Sequence, residues 1–313
     1  MFLENVQFSN LIMLVVCVGI VINQAALAAI YKSFKTIFGE AFTTAPEPDW
    51  PKVAMQAPSD NETEDYVWLG EMPAMKEWIG DRKIKDLAGF HYEIRNKDFE
   101  ATVEVDRNKI EDDRIGIYKP MFQGLAVSAK IHPDTLIFAL LAAGASTKCF
   151  DGVNFFATTH KVAGANVVNY TAAGGNNLWV LMDTTKPVKP LILQLRKSPE
   201  FVAQDQPEGE NVFMRKKFRY GVDYRSNVGF GFWQLAYGSC ATLSNTNYNL
   251  HRTAMKAFKN DEGMPLGIRP NLLVCGPSNE AAARTLLLAD RDAAGAANIW
   301  FNSAQLLVCD WLT

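Results

Sequence analysis

The sequence has no CxxC pair. Its five cysteines, Cys17, Cys149, Cys240, Cys275 and Cys309, are odd in number and widely spaced, which excludes a local zinc knuckle or redox motif and points to lone thiols in a reducing compartment. Histidine is scarcer still, and His91, His132, His160 and His251 stand too far apart for a metal cluster within one segment. A cationic surplus is also lacking: 31 Lys plus Arg against 34 Asp plus Glu leave a formal charge of −3. A dedicated nucleic-acid binder usually has such a surplus, so any contact with DNA is expected to be weak or geometric. There is no phosphate loop, no GxGxxG after a strand, no HExxH, no GxSxG elbow and no EF-hand loop.

Long apolar runs are nearly absent as well. Leu11 to Ile22 is an unbroken apolar stretch of 12 residues, short of the roughly 20 that span a bilayer. Glu4 precedes it without any Lys or Arg, and no convincing small-x-small cleavage site follows, so it does not read as a signal peptide. An extension or upstream start ahead of the folded protein fits better than export or a membrane anchor. What is present is the composition of a globular protein, 48% apolar and 21% charged over 313 residues, enough for a real core in one or two domains and unlike disordered, collagenous or disulfide-scaffold chains.

From Gln24, the residues Leu27, Ile30, Tyr31, Phe34, Ile37, Phe38 and Phe42 recur mainly at spacings of three and four, an amphipathic helix. Residues 44–65 carry Pro46, Pro48, Pro51, Pro58 and a polar run, and read as an extended linker. The segment from Tyr66 to Phe99 mixes tryptophans, glycines and charges of both signs, as in a projecting hairpin or a surface subdomain. Then Phe99, Ala101, Val103 and Val105 alternate with Asp98, Glu100, Thr102, Glu104 and Asp106, a strand with one buried and one acidic face. The acidic face reads as solvated, its repulsion offset by basic side chains of a neighbour, in preference to a metal site. A long helix follows over about 118–144, with Pro133 expected to kink it or begin a second helix and a closing glycine. Strand-like runs lie at 178–183, 190–195, 212–225 and 229–238. Two helices follow, around 248–258 and 278–289, the second with Ser278 as its expected N-cap. A strand over 304–312 ends the chain. The order of elements is α+β.

One tract invites a chemical reading. Residues 149–162 bring Cys149, Asp151 and His160 close in sequence, the residue types of a thiol nucleophile with a base. Such a thiol needs the base within hydrogen-bond reach and a device lowering its pKa, and proximity in sequence demonstrates neither. A cytosolic enzyme using this tract is the alternative function; a protein anchored by residues 11–22 is a third.

The segments YVWLG (66–70), EWIGDRKI (77–84), FEATVEVDRNKIEDDRIGIY (99–118), HPDTLIFALLAAG (132–144), FDGVNFFATTH (150–160), KPLILQLRKSPE (189–200), GFWQLA (231–236), NLLVCGPSNEAAARTLL (271–287) and QLLVCDWL (305–312) resemble, in order and spacing, the Mu-like phage major head protein family, over roughly 21–313. The resemblance implies a Hong Kong ninety-seven-type capsid fold: an N-terminal arm over 21–65, a projecting E-loop over 66–98, a mainly peripheral domain over 99–240 with a spine helix, and a mainly axial domain over 241–313. Residues 1–20 precede the usual start of the family. It further implies a structural, non-enzymatic subunit without cofactor, assembling into hexamers and pentamers of an icosahedral head around double-stranded DNA. Implied partners are scaffold, head-maturation protease and portal, and implied locations are the virion and, before assembly, the host bacterial cytoplasm. Trp68, Trp78, Arg82 and Lys83 are the expected intersubunit contacts. Lys76, Lys83 and Lys85 are present on the projection, but no partner for a covalent crosslink can be matched.

Overall fold

The computed structural model describes residues 22–70, 91–112, 115–291 and 295–312. Its helices are α1 (Gln24–Thr44), α2 (Trp50–Val53), α3 (Arg107–Glu111), α4 (Lys119–Ala142), α5 (Glu210–Arg215), α6 (Asn245–Lys256) and α7 (Glu280–Leu288). Its strands are β1 (Ala54–Pro58), β2 (Thr63–Asp65), β3 (Glu93–Arg95), β4 (Lys97–Asp106), β5 (His160–Val162), β6 (Ala165–Val167), β7 (Tyr170–Thr171), β8 (Trp179–Met182), β9 (Leu191–Gln204), β10 (Lys217–Phe230), β11 (Ala236–Ser239), β12 (Leu272–Cys275) and β13 (Gln305–Val308).

The amphipathic stripe of α1 is what docks it. Asn23 caps the helix by accepting from the Ala26 N–H at 2.8 Å, and Leu27, Ile30, Phe34 and Phe38 are buried. Phe34 stacks on Phe122 of α4 at 4.2 Å between ring centroids and meets Tyr220 of β10 edge-on at 5.1 Å. Burial of each such side chain contributes about 1.5–3 kcal/mol. Helix α4 runs through Pro133 as one element of 24 residues, about 36 Å long, without starting a second helix there. The stretch Ile115–Ala145 is long and apolar enough to cross a membrane by composition. Its Phe122, Leu125, Ile137, Phe138 and Leu141 are instead buried in the core of the chain.

Residues 44–65 are not the linker their prolines suggest. Val53 and Ala54 are buried, and β1 runs parallel to β9 with Ala54 opposite Leu191. Pro51 occupies the first turn of α2, where a missing N–H removes no helical bond, and Pro58 is the last residue of β1, so neither breaks a ladder. Two residues of α4 hold the segment. Lys130 Nζ donates to Ala45 O and Glu47 Oε1, both at 2.8 Å, so that a cation sits at the carboxyl end of α1. The buried Asp134 accepts from the backbone N–H groups of Asp49 and Trp50 at 3.0 and 2.6 Å. Burial raises its carboxyl pKa above the ordinary value.

Two sheets carry the fold. One has the order β1-β9-β10-β4, with the 14-residue strands β9 and β10 antiparallel at its centre. The other has the order β13-β12-β8-β11-β7. Every residue of β8 and β12 is buried, as expected for strands covered on both faces. This second sheet joins β7, β8 and β11, all before residue 241, to β12 and β13 after it, so the expected boundary at 240 cuts through a sheet.

Three local expectations are corrected. The strand expected over 212–225 begins only at Lys217, because 210–215 form α5, anchored by the buried Val212. Ser278 does not cap α7: it lies in the preceding 3-10 turn and its hydroxyl accepts from Asn177 Nδ2 at 2.8 Å. Gly144 is required for close packing and not as a left-handed helix terminator, since a Cβ there would stand 2.6 Å from the Phe156 ring.

Candidate functional site

The base of the 66–92 segment is built from buried polar groups. Strands β2 and β3 pair antiparallel, Thr63 with Arg95 through Asp65 with Glu93. Gln194 of β9, fully buried, lies under them. Its Oε1 accepts from Tyr66 Oη at 2.9 Å, and its Nε2 donates to Ile94 O at 3.0 Å and Asn96 Oδ1 at 2.8 Å. Asn96 Nδ2 in turn donates to Ser59 Oγ and Asn61 O, both at 2.8 Å. Glu64 Oε1 accepts from Ser59 Oγ at 3.0 Å and from the Asp60 and Asn61 N–H groups at 2.7 and 2.9 Å. Those backbone and hydroxyl donors hold the Glu64 carboxyl below its usual value. At the rim, Asp65 meets His91 at 2.8 Å and Glu62 meets Arg95 at 2.6 Å. The hydrogen bond His91 donates to Asp65, and the charge of that carboxylate, raise the His91 pKa. Both entry and exit of the segment are therefore fixed to one interior side chain of β9, a link that no sequence motif signals.

Of the four expected contact residues, Trp68 lies in the 3-10 turn Val67–Gly70, next to the buried Leu69. Trp78, Arg82 and Lys83 lie outside the described residues. The acidic face of β4 meets the basic neighbours the sequence led us to expect. Glu104 bonds Lys217 at 2.7 Å and Arg219 at 3.1 Å, and Asp98 meets Arg225 at 3.1 Å. Those two cations lower the Glu104 pKa.

Cys149, Asp151 and His160 do come together, all three ligand atoms lying within 4.8 Å of one another, but in the wrong order for a nucleophile. Asp151 stands between the other two: its Oδ1 accepts from Cys149 Sγ at 3.2 Å and from the Val153 N–H at 3.0 Å, and its Oδ2 meets His160 Nδ1 at 2.6 Å. The thiol faces a carboxylate instead of a base. Burial first, then the Asp151 charge, push its pKa far up from the ordinary value, the reverse of an activated cysteine. Burial alone would raise the Asp151 carboxyl, but the His160 bond and charge, with the Val153 and Cys149 donors, bring it below its usual value. His160 is fully buried and stacks on Trp233 at 4.1 Å. Each of the three groups is bonded to another of them, so the cluster works as a clasp that fastens loop 146–159 to the core. Asn169 reinforces it, donating to Phe155 O at 2.8 Å and accepting from the Ala157 N–H at 2.9 Å.

Comparison with known proteins identifies the family. The pattern of the Mu-like prophage major head subunit gpT family matches residues 27–312. The major capsid protein of Escherichia phage Mu is 35% identical over 306 residues, covering 93% of this chain and 100% of that protein. The Mu-like prophage FluMu major head subunit of Haemophilus influenzae is 38% identical over 271 residues, covering 83% and 87%. Among solved structures, the procapsid of bacteriophage JBD30 matches with a TM-score of 0.83 at 43% identity, covering 93% of this chain and 100% of that one. The bacteriophage JBD30 capsid matches with a TM-score of 0.77 at 33% identity, covering 94% and 100%.

The fold is thus that of the Hong Kong ninety-seven-type phage capsid proteins, α+β in content. The chain belongs to the Mu-like prophage major head subunit family and is a major capsid subunit of that family.

Proposed function

We propose that the chain assembles with copies of itself into hexamers and pentamers of an icosahedral head enclosing double-stranded DNA, and that it acts as a structural subunit with no catalytic step of its own. The observation that carries this is the match to the JBD30 procapsid subunit over the whole of that chain. Association rests on apolar burial at repeated heterologous contacts, directed by charge complementarity between neighbours. The clamped stem at β2 and β3 supports reading 66–98 as the E-loop, with Trp68, Trp78, Arg82 and Lys83 as intersubunit contacts. Residues 21–65 are the N-terminal arm in this reading. Strands β9, β10 and β4 with α4 form the peripheral domain, β1 of the arm lying along β9, and the five-stranded sheet with α6 and α7 forms the axial domain. Scaffold, head-maturation protease and portal are further partners. DNA is held by confinement, consistent with a formal charge of −3, and the subunit resides in the host cytoplasm before entering the virion.

Velocity sedimentation of the expressed full chain tests the proposal. Fast-sedimenting particles that Trp78→Ala reduces, while the subunit keeps its circular dichroism, are expected. Equal particle yields from Trp78→Ala would remove that residue from the interface, and a homogeneous small oligomer with thiol-dependent activity would favour the enzyme reading.

A further inference from the structure

The far end of the β9–β10 hairpin carries a knob and a groove that do not use each other. The knob is α5, where Phe213 is 85% and Met214 70% exposed, although the preceding Val212 is buried and holds the helix to the core. Apolar side chains so exposed on a rigid support mark an interaction surface. Arg215 and Lys216 follow directly, and neither forms an ion pair among the described residues. The groove, of about 410 Å3, lies between the first turns of α1 and the end of β9. Leu27, Ala28, Phe201 and Val202 give it apolar walls, and Glu200 and Asp205 give it acidic ones. Glu200 is already engaged by Lys197 at 3.0 Å. Asp205 has no cation among the described residues, and burial raises its pKa, so a cation brought to it from outside would be favoured.

We propose that Phe213 and Met214 of one copy seat in the α1–β9 groove of a neighbouring copy, with Arg215 and Lys216 brought to the neighbour's Asp205 carboxylate. This rests on the shell-forming reading above and names one of its contacts. The occupant is a second copy because the knob supplies, in one four-residue run, the apolar pair and the unpaired cations that the groove lacks. The two surfaces differ, so the contact is heterologous, and because both lie at one end of the sheet it joins copies around an axis at that end.

The test compares the full chain with Asp205→Arg, Arg215→Asp and the double variant. Particle yield is read by sedimentation and electron microscopy, and folding of the unassembled fraction by circular dichroism. Each single reversal is expected to cut particle yield about tenfold, and the double variant to recover most of it, since only the pair restores complementarity. A second measurement does not depend on the reversals: Met214→Cys and Val202→Cys chains carrying different tags are co-assembled and oxidised, and a disulfide between the two tags is expected. Particles from all variants in equal yield, with no disulfide between tags, would overturn the contact while leaving the capsid reading intact. Absence of particles from the unmodified chain as well, with the companion head proteins present, would count against that reading, and the contact would fall with it.

Discussion

Replacing Gln194 by leucine removes three hydrogen bonds from the stem of the projection at once. Tyr66 Oη, Ile94 O and Asn96 Oδ1 each lose a hydrogen bond of 2.8–3.0 Å, in a place where Tyr66, Ile94 and Asn96 are all buried. A typical intramolecular hydrogen bond is worth about 1 kcal/mol net, and a buried group left without a partner costs about 1–3 kcal/mol. The loss is therefore about 3–6 kcal/mol, offset by about 1 kcal/mol of added apolar burial. A net of about 3 kcal/mol corresponds to roughly a hundredfold in the local opening equilibrium. Hydrogen exchange of the unassembled chain reads this directly. Amides of 59–66 and 91–96 should exchange about a hundredfold faster, while α6 and β12, which do not touch Gln194, keep their protection. Tyr66→Phe should cost only about 1 kcal/mol, and the double variant should cost less than the sum because the two share a bond. A change in exchange below about threefold in the stem would refute the idea that Gln194 holds it.

The Asp65–His91 pair gives the same stem a pH response. His91 has its pKa raised in the folded state, so its stabilising contribution is full below the unfolded value near 6.5 and is lost as pH rises through the folded value. Exchange in β2 and β3 should quicken over that rise, and His91→Gln should abolish the dependence. His251 works in the opposite sense: it is fully buried between Tyr237 and Trp179, and burial lowers its pKa to about 4. Stability should fall as pH drops from about 6.5 to about 4, by an amount on the order of 3 kcal/mol, and urea unfolding of His251→Gln should show a flatter acid limb. Cys149 should resist alkylation in the folded chain at a pH where the partly exposed Cys240 reacts; equal labelling, followed by mass spectrometry of the peptides, would contradict the clasp. Gly276→Ala would place a Cβ 1.6 Å from Leu312 O, so residues 309–312 must leave their site, and proteolysis at the carboxyl end should become faster.

Much of the scaffold was legible where one period governs a whole element. The stripe from Leu27 to Phe38 described α1, the alternation of Phe99, Ala101, Val103 and Val105 described β4 together with its cationic neighbours, although only Val105 of that face is buried, and the apolar run at 178–183 described β8, whereas β12 was not among the expected strands. Illegible parts depend on partners distant in the chain. Nothing local in Ala54–Pro58 announces that its hydrogen bonds go to Leu191–Leu195, and prolines at element ends resemble prolines in a linker. Residues 212–214 carry a strand-like apolar run, yet only Val212 faces the core, so the helix was hidden by two side chains whose exposure has nothing to do with folding. For the site, Cys149, Asp151 and His160 were singled out by their closeness in sequence, which did not itself establish that they meet. Which group stands in the middle was not readable, and that order separates a structural clasp from an activated thiol. Gln194 was invisible for the same reason as β1: a buried glutamine has meaning only through the groups that reach it.

That this chain builds a closed shell from repeated copies is tested by electron microscopy of particles formed by residues 1–313 and, separately, by residues 21–313. Closed icosahedral shells with capsomers of six and five copies are expected from at least one of the two, and a difference between them would assign an effect to the apolar run at 11–22. Discrete small oligomers of fixed size from both, in the presence as well as the absence of the companion head proteins, would contradict it.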